Sequence, residues 1–281
     1  MTAERIGRYK IIKQLGHGGM ATVFLGHDPL IRREVAIKVM SAQLMTDPAF
    51  FDRFQNEAET IANLEHPSIV PIYDFGHQGD QSYIVMRYMN GGALEDRLEK
   101  GPMKLQTIAP IIERMAAALD EAHRKNIIHR DIKPANILFN SKGEAFLSDF
   151  GIAKNTEGGA DLTADNTFIG TVEYMSPEQI QGNQKLDGRA DVYALGIVLF
   201  LMLTGQLPFK KDTVVYTIMA HLTEPIPSVQ EQLPQSRLPW DDILNKTLAK
   251  DPADRYAMAG DLAKDVNSLL SGKWYLNKLL D

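Results

Sequence analysis

With 281 residues, 44% of them hydrophobic and 23% charged, the chain has the composition of a globular protein of one large domain or two lobes. A net charge of −6 argues against a nucleic-acid binder working through a basic surface. The lack of cysteine removes disulfides, thiolate metal sites and a Cys nucleophile.

The N-terminus, Met1-Thr2-Ala3-Glu4-Arg5, has no apolar stretch of signal-peptide type, so no signal peptide is read. Segments rich in β-branched and aromatic residues predict strands over Tyr9–Leu15, Ala21–Asp28, Glu34–Met40, Ile69–Gly76 and Gln81–Tyr88. Between them, Phe54, Ala58 and Ile61 recur at helical spacing from Phe50 to Leu64, where His66-Pro67 ends the pattern. After Asn90-Gly91-Gly92 the pattern turns helical: Leu105–Lys125, Val192–Thr204, Val214–Leu222, Trp240–Leu248 and Ala259–Leu270. The most apolar run, Val192 to Leu203, falls short of the roughly 20 residues a bilayer span needs and reads as a buried helix, giving a soluble chain. The expected organisation is α+β, with a small β-rich N-lobe over 9–89 and a larger helical C-lobe over 90–271. Residues 1–8 are left as an N-terminal extension and 272–281 as a tail. Residues 155–171 are polar and aperiodic and read as a loop.

Several motifs carry chemistry. Gly16-His17-Gly18-Gly19-Met20-Ala21-Thr22-Val23 sits between two predicted strands, where glycines let backbone N–H groups approach phosphate oxygens. Taken alone it reads equally as an ordinary hairpin turn. Lys38 follows in a Val-Ala-Ile-Lys strand. Glu57 lies on the Phe54/Ala58/Ile61 side of its predicted helix, whereas Glu59 is about 200° round it, so Glu57 is the expected partner of Lys38. In His129-Arg130-Asp131-Ile132-Lys133-Pro134-Ala135-Asn136, an Asp and an Asn in one loop can share a phosphoryl-transfer site. The Asp can take a hydroxyl proton while the Asn amide oxygen holds a divalent metal. Asp149-Phe150-Gly151 supplies a second candidate metal ligand.

These elements, in this order, resemble the eukaryotic-like (Hanks-type) Ser/Thr protein kinases over about Tyr9 to Tyr256, a family whose motifs are well characterised. The resemblance implies a bilobal protein-kinase fold, ATP with Mg²⁺ or Mn²⁺ as cofactors, and Ser/Thr-bearing protein substrates. In that reading Lys38, paired with Glu57, orients the α- and β-phosphates, and Asp131 orients the attacking hydroxyl. Lys133 reaches the transferring phosphate, and Asn136 and Asp149 hold metal. Leu15, Gly16, His17, Gly18, Gly19, Met20, Ala21 and Val23 cover the nucleotide. Ala36 and Met86 sandwich the base with Val23, a placement equally compatible with core packing, and the backbones of Arg87 and Met89 pair with the adenine edge. Ala21 replaces the third glycine of the family pattern, and Arg87 stands where an acidic residue is usual. Glu178 of Ser176-Pro177-Glu178 would pair with Arg255, Asp191 would anchor the catalytic loop, and Thr171 would contact Asp131 and Lys133. His129 is read as structural.

Arg130 and Lys154 form a basic pair that a phosphate on Thr163 or Thr167 could engage, with Thr156 a weaker candidate. The family further implies a cytoplasmic location, often as part of a membrane-anchored protein, and a homodimer for trans-autophosphorylation, which no residue pattern here shows. The alternatives are a nucleotide-binding pseudokinase scaffold and a small-molecule kinase. The first predicts loss of Lys38, Asp131, Asn136 or Asp149. Against the second stands Gly170–Glu178, which resembles a peptide-docking segment.

Overall fold

The alternation Val35-Ala36-Ile37-Lys38-Val39-Met40 sends successive side chains to opposite faces of a strand, and the first sheet is built around it. The computed structural model describes residues 5–19, 21–41, 56, 58–79, 81–150, 172–183, 185–233, 236 and 238–271. Strands β1 (Arg5–Ile6), β2 (Tyr9–His17), β3 (Ala21–Asp28), β4 (Arg33–Met40), β5 (Ile72–Gln78) and β6 (Gln81–Arg87) form one antiparallel sheet in the order β1-β2-β3-β4-β6-β5. One face carries Val35, Ile37, Val39, Tyr83 and Val85, buried with Ile6 and Tyr9 in a single cluster. Arg5–Ile6 lies in the stretch that the sequence pattern leaves as an extension, yet Ile6 pairs with Tyr9 and joins this cluster. β5 starts at Ile72, later than the expected Ile69, because Pro71 has no N–H to give a ladder; its carbonyl instead accepts from Arg87 N at 3.0 Å. Of helix α1 only 56 and 58–62 are described, with Ala58 and Ile61 buried.

The chain divides into two compact units between Asn90 and Gly91. Gly91 is fixed by packing: its N–H donates to Phe139 O at 2.8 Å, and an added Cβ would lie 2.7 Å from that same oxygen. The second unit comprises α2 (Leu94–Leu98), α3 (Leu105–Arg124), α4 (Pro177–Ile180), α5 (Arg189–Thr204), α6 (Val214–Thr223), α7 (Val229–Gln232), α8 (Trp240–Thr247) and α9 (Ala259–Leu270). A two-stranded ribbon, β7 (Ile137–Phe139) and β8 (Ala145–Leu147), completes it. α5 is buried from Ala190 through Phe200, which is why its sequence is apolar all round. It begins three residues before the apolar run because Asp187 Oδ1 accepts from Arg189 N at 2.8 Å, and it ends on Gly205 at φ +74°. α9 starts without a local cap. Asp120 of α3 supplies one, accepting from Ala259 N and Gly260 N, both at 2.9 Å. No helix among the described residues is long and apolar enough to cross a membrane.

Candidate phosphotransfer site

In the first unit, register decides which side chains share a face. Val23 lies opposite Lys38 and Lys38 opposite Ile84; Ala36 lies opposite Met86. Residues directly opposite project to the same side. Val23, Ala36, Lys38, Ile84 and Met86 therefore line one face of the sheet, opposite the Val35/Ile37 core. Arg87 N–H is already bonded to Pro71, so of its two backbone groups the carbonyl is the one an adenine edge could use. Met89 is buried at 7% exposure just before the division between the units.

The hairpin between β2 and β3 is closed by Gly18 N donating to Ala21 O at 2.9 Å and by His17 Nδ1 against Thr22 Oγ1 at 2.8 Å. Two register shifts in β2, between Ile11 and Lys13 and between Gln14 and Gly16, twist the strand that leads into it. Among the described residues, a Cβ at Gly16 would meet nothing within 4 Å, and one at Gly18 only Ala21 O at 3.8 Å. Neither has a positive φ. The fold itself does not demand glycine at either position, and the bare backbone is left open to a ligand. Gly26 is the contrast, since a Cβ there would run into Ile37.

In the second unit the loop of residues 129–136 is wired through its backbone. Asn136 Nδ2 donates to Asp131 O at 2.8 Å and to Asp131 Oδ2 at 3.1 Å, while Lys133 Nζ stands 3.1 Å from the same Oδ2. Both amide hydrogens of Asn136 point at Asp131, which leaves Oδ1 as the group not used in these bonds. Asn136 O accepts from Ser148 N at 2.9 Å and Ser148 Oγ at 3.0 Å, holding the residue before Asp149 beside Asn136. His129 Nε2 meets Ser148 O at 2.9 Å, and its Nδ1 accepts from Asp131 N at 3.2 Å. A carbonyl can only accept, so Nε2 carries the proton and the ring is neutral. Arg130 and Asp149 both adopt left-handed backbone, φ +63° and +58°, a conformation costing about 1–2 kcal/mol for residues with a Cβ.

Asp191 collects this loop from below. Its Oδ2 accepts from His129 N at 2.8 Å and faces His123 Nε2 at 2.7 Å, and its Oδ1 accepts from Arg130 N at 2.8 Å. Glu178 and Arg255, both buried, form a two-pronged pair at 2.6 and 2.8 Å. Arg255 also donates to the carbonyls of Ala249, Arg189 and Lys250. Two partners escape the motif reading. His123 sits in the last turn of α3 with no motif to mark it. Gln179 Nε2 donates to Arg130 O at 3.2 Å; its signal is the Ser176-x-x-Gln179 capping box, which orients that side chain. Glu57, Met20, Lys154, Thr156, Thr163, Thr167 and Thr171 lie outside the described residues, and with them the Lys38–Glu57 pair and the Thr171 contacts.

Two histidines in this unit are held neutral. Burial lowers the pKa of His129. Burial, helped by the nearby Lys250 cation, pushes His221 down to about 3. The unfolded ring takes a proton below about 6.5 and the folded one does not until far lower, so this stability is present above 6.5 and lost as pH falls. By pH 5 the loss from His221 is on the order of 2 kcal/mol. Thermal unfolding between pH 7.5 and 5 should therefore lose less stability in His221→Gln than in the wild type, and parallel profiles would contradict this.

A curled antiparallel sheet in one unit and a helical second unit carrying an Asp/Lys/Asn loop together make the protein kinase fold. The sequence model for the protein kinase domain matches residues 9–268, and the chain belongs to that family. It is 40% identical over 263 residues to the serine/threonine-protein kinase PrkC of Bacillus subtilis, covering 93% of this chain and 40% of that protein. It is 41% identical over 272 residues to PknB of Mycobacterium leprae, covering 95% and 43%. The chain thus spans well under half the length of these relatives. The PknI kinase domain of Mycobacterium tuberculosis matches in structure with a TM-score of 0.75 at 29% identity, over 94% of this chain and 97% of that one.

Proposed function

We propose that this chain is the catalytic domain of an ATP-dependent Ser/Thr protein kinase, with residues 9–271 as the working domain. The observation that carries the reading is the wiring of Asp131, whose Oδ2 is shared by Lys133 and Asn136. The site residues fit a nucleotide–metal complex. The Asn136 Oδ1 and the Asp149 carboxylate are hard oxygen donors suited to Mg²⁺ or Mn²⁺, and the unfilled space at Gly16 and Gly18 suits phosphates. A bound divalent ion would neutralise charge on the nucleotide phosphates. Asp131 accepts the proton of a substrate Ser or Thr hydroxyl and fixes its direction of attack. Lys133 places its ammonium where charge grows on the transferred group, and Lys38 does the same for the remaining phosphates. All four residues whose loss would mark a pseudokinase scaffold are present. Against a small-molecule kinase stands the sequence Gly170–Glu178, which resembles a peptide-docking segment.

Location in the cytoplasm, within a longer membrane-anchored protein, and dimerisation for trans-autophosphorylation belong to the same proposal. Thr163 and Thr167 are its phosphosites. Arg130 Nε is buried with no hydrogen-bond partner among the described residues, which suits it to receive a phosphate. Phosphatase treatment and the Thr163→Ala/Thr167→Ala double variant should both lower activity on an external peptide, and phosphoamino-acid analysis should return phosphothreonine and phosphoserine. Dominant phosphotyrosine, or unchanged activity in both samples, would refute this.

A further inference from the structure

The orientation of the peptide between Arg130 and Asp131 decides where the Asp131 side chain points, and the backbone groups of both residues are bonded. Arg130 N donates to Asp191 Oδ1 at 2.8 Å, and Asp131 N donates to His129 Nδ1 at 3.2 Å. Asp131 O accepts from Asn136 Nδ2 at 2.8 Å. Arg130 O accepts from Gln179 Nε2 at 3.2 Å. The first three partners are Asp191 and residues of the 129–136 loop itself. The fourth comes from α4, 49 positions along the chain.

Gln179 uses both ends of one amide. Its Oε1 accepts from Ser176 N and Ser176 Oγ, each at 3.1 Å, while its Nε2 reaches Arg130 O. Chemistry fixes that orientation, because a backbone N–H can only donate and a carbonyl can only accept. Ser176 is fully buried and follows directly on the Val172–Tyr174 turn and Met175. Arg130 is the residue with most to lose from a missing bond. Its φ of +63° is a left-handed backbone that a residue with a Cβ keeps only where its surroundings hold it. Asp191 holds the peptide plane before Arg130, and Gln179 and His129 hold the two ends of the plane after it.

We propose that Gln179 is a positioning residue for Asp131, its Nε2–H holding the Arg130 carbonyl and with it the peptide plane from which the Asp131 carboxylate is aimed at a substrate hydroxyl. The inference rests on the kinase reading. Loss of that donor frees one end of the plane, lets Arg130 relax toward ordinary backbone and turns Asp131 off the line of attack. Turnover suffers and nucleotide affinity does not, because the amide bonds Ser176 and Arg130 and neither is among the groups proposed to hold phosphate or metal.

Substitution separates the two jobs of this amide. Gln179→Glu keeps an oxygen for the Ser176 cap, as in an ordinary capping box, but sets a carboxylate with no donor against Arg130 O. Gln179→Lys keeps a donor for Arg130 O and loses the cap. The test is steady-state kinetics with a Ser-containing peptide, varying peptide and ATP separately, beside thermal unfolding of each protein. Gln179→Glu should lower kcat about 10-fold, with ATP KM within about 2-fold of wild type and little change in melting temperature. Gln179→Lys should hold kcat within about 3-fold of wild type even though it melts lower. If Gln179→Glu does not fold, Gln179→Met, which has neither donor nor acceptor oxygen, takes its place with the same expected loss in kcat. Wild-type kcat in a folded Glu or Met variant, or a loss in Gln179→Lys as large as theirs, would overturn the inference and leave Gln179 a helix cap. A wild type that phosphorylates no peptide would instead overturn the kinase reading and the inference with it.

Discussion

Asp131→Asn is expected to lower phosphoryl transfer by roughly 10²–10⁴ and to leave nucleotide affinity close to wild type. The carboxylate does two things that an amide cannot do together. In the proposed mechanism it accepts the hydroxyl proton, and its Oδ2 holds Lys133 Nζ at 3.1 Å while accepting from Asn136 Nδ2 at 3.1 Å. An Asn side chain has one acceptor oxygen and no charge, so Lys133 loses its counter-ion. The backbone is spared, because Asn136 still bonds Asp131 O and His129 still accepts from Asp131 N. Initial-rate assays beside fluorescent-nucleotide titration separate the two effects. Unchanged turnover would remove Asp131 from the mechanism.

Arg255→Met is expected to destabilise the protein by about 3–5 kcal/mol, because it leaves the Glu178 carboxylate buried without its partner. At roughly 2–4 °C per kcal/mol for a chain of this size, the melting temperature should fall by about 6–20 °C. Adding Glu178→Gln to Arg255→Met removes the stranded charge and should recover part of the loss, so the two changes will not add. Thermal and denaturant unfolding measure this directly. A melting temperature within a degree or two of wild type would show that the pair stabilises nothing. The three carbonyls bonded by Arg255, from Ala249, Arg189 and Lys250, predict that the damage spreads to the start of α5.

Some features were legible because their cause is local. The strand Val35–Met40 follows from period-2 alternation, and the body of α5 from the apolar run Val192 to Leu203. The Asp131/Asn136 loop was legible because its residue types and spacing are set by chemistry rather than packing. What escaped depends on partners far away in the chain. Asp120 caps α9 across 139 residues, and nothing near Asp120 announces it. His123 reads as one more helix-end residue until Asp191, 68 positions on, is seen to hold it together with the backbone of His129 and Arg130. Arg5–Ile6 is too short to show periodicity, and only the core it joins makes it a strand. His221 carries no motif at all, since its neutral state follows from burial among Tyr193, Phe209 and Lys250.

The kinase reading stands or falls on one assay: the purified chain with γ-labelled ATP, Mg²⁺ and a Ser/Thr protein substrate, run beside Asp131→Asn and a chelator control. Label should appear in phosphoserine and phosphothreonine, fall by roughly 10²–10⁴ in the variant, and disappear when the metal is chelated. Absence of label on protein, or equal labelling by wild type and Asp131→Asn, would contradict the account.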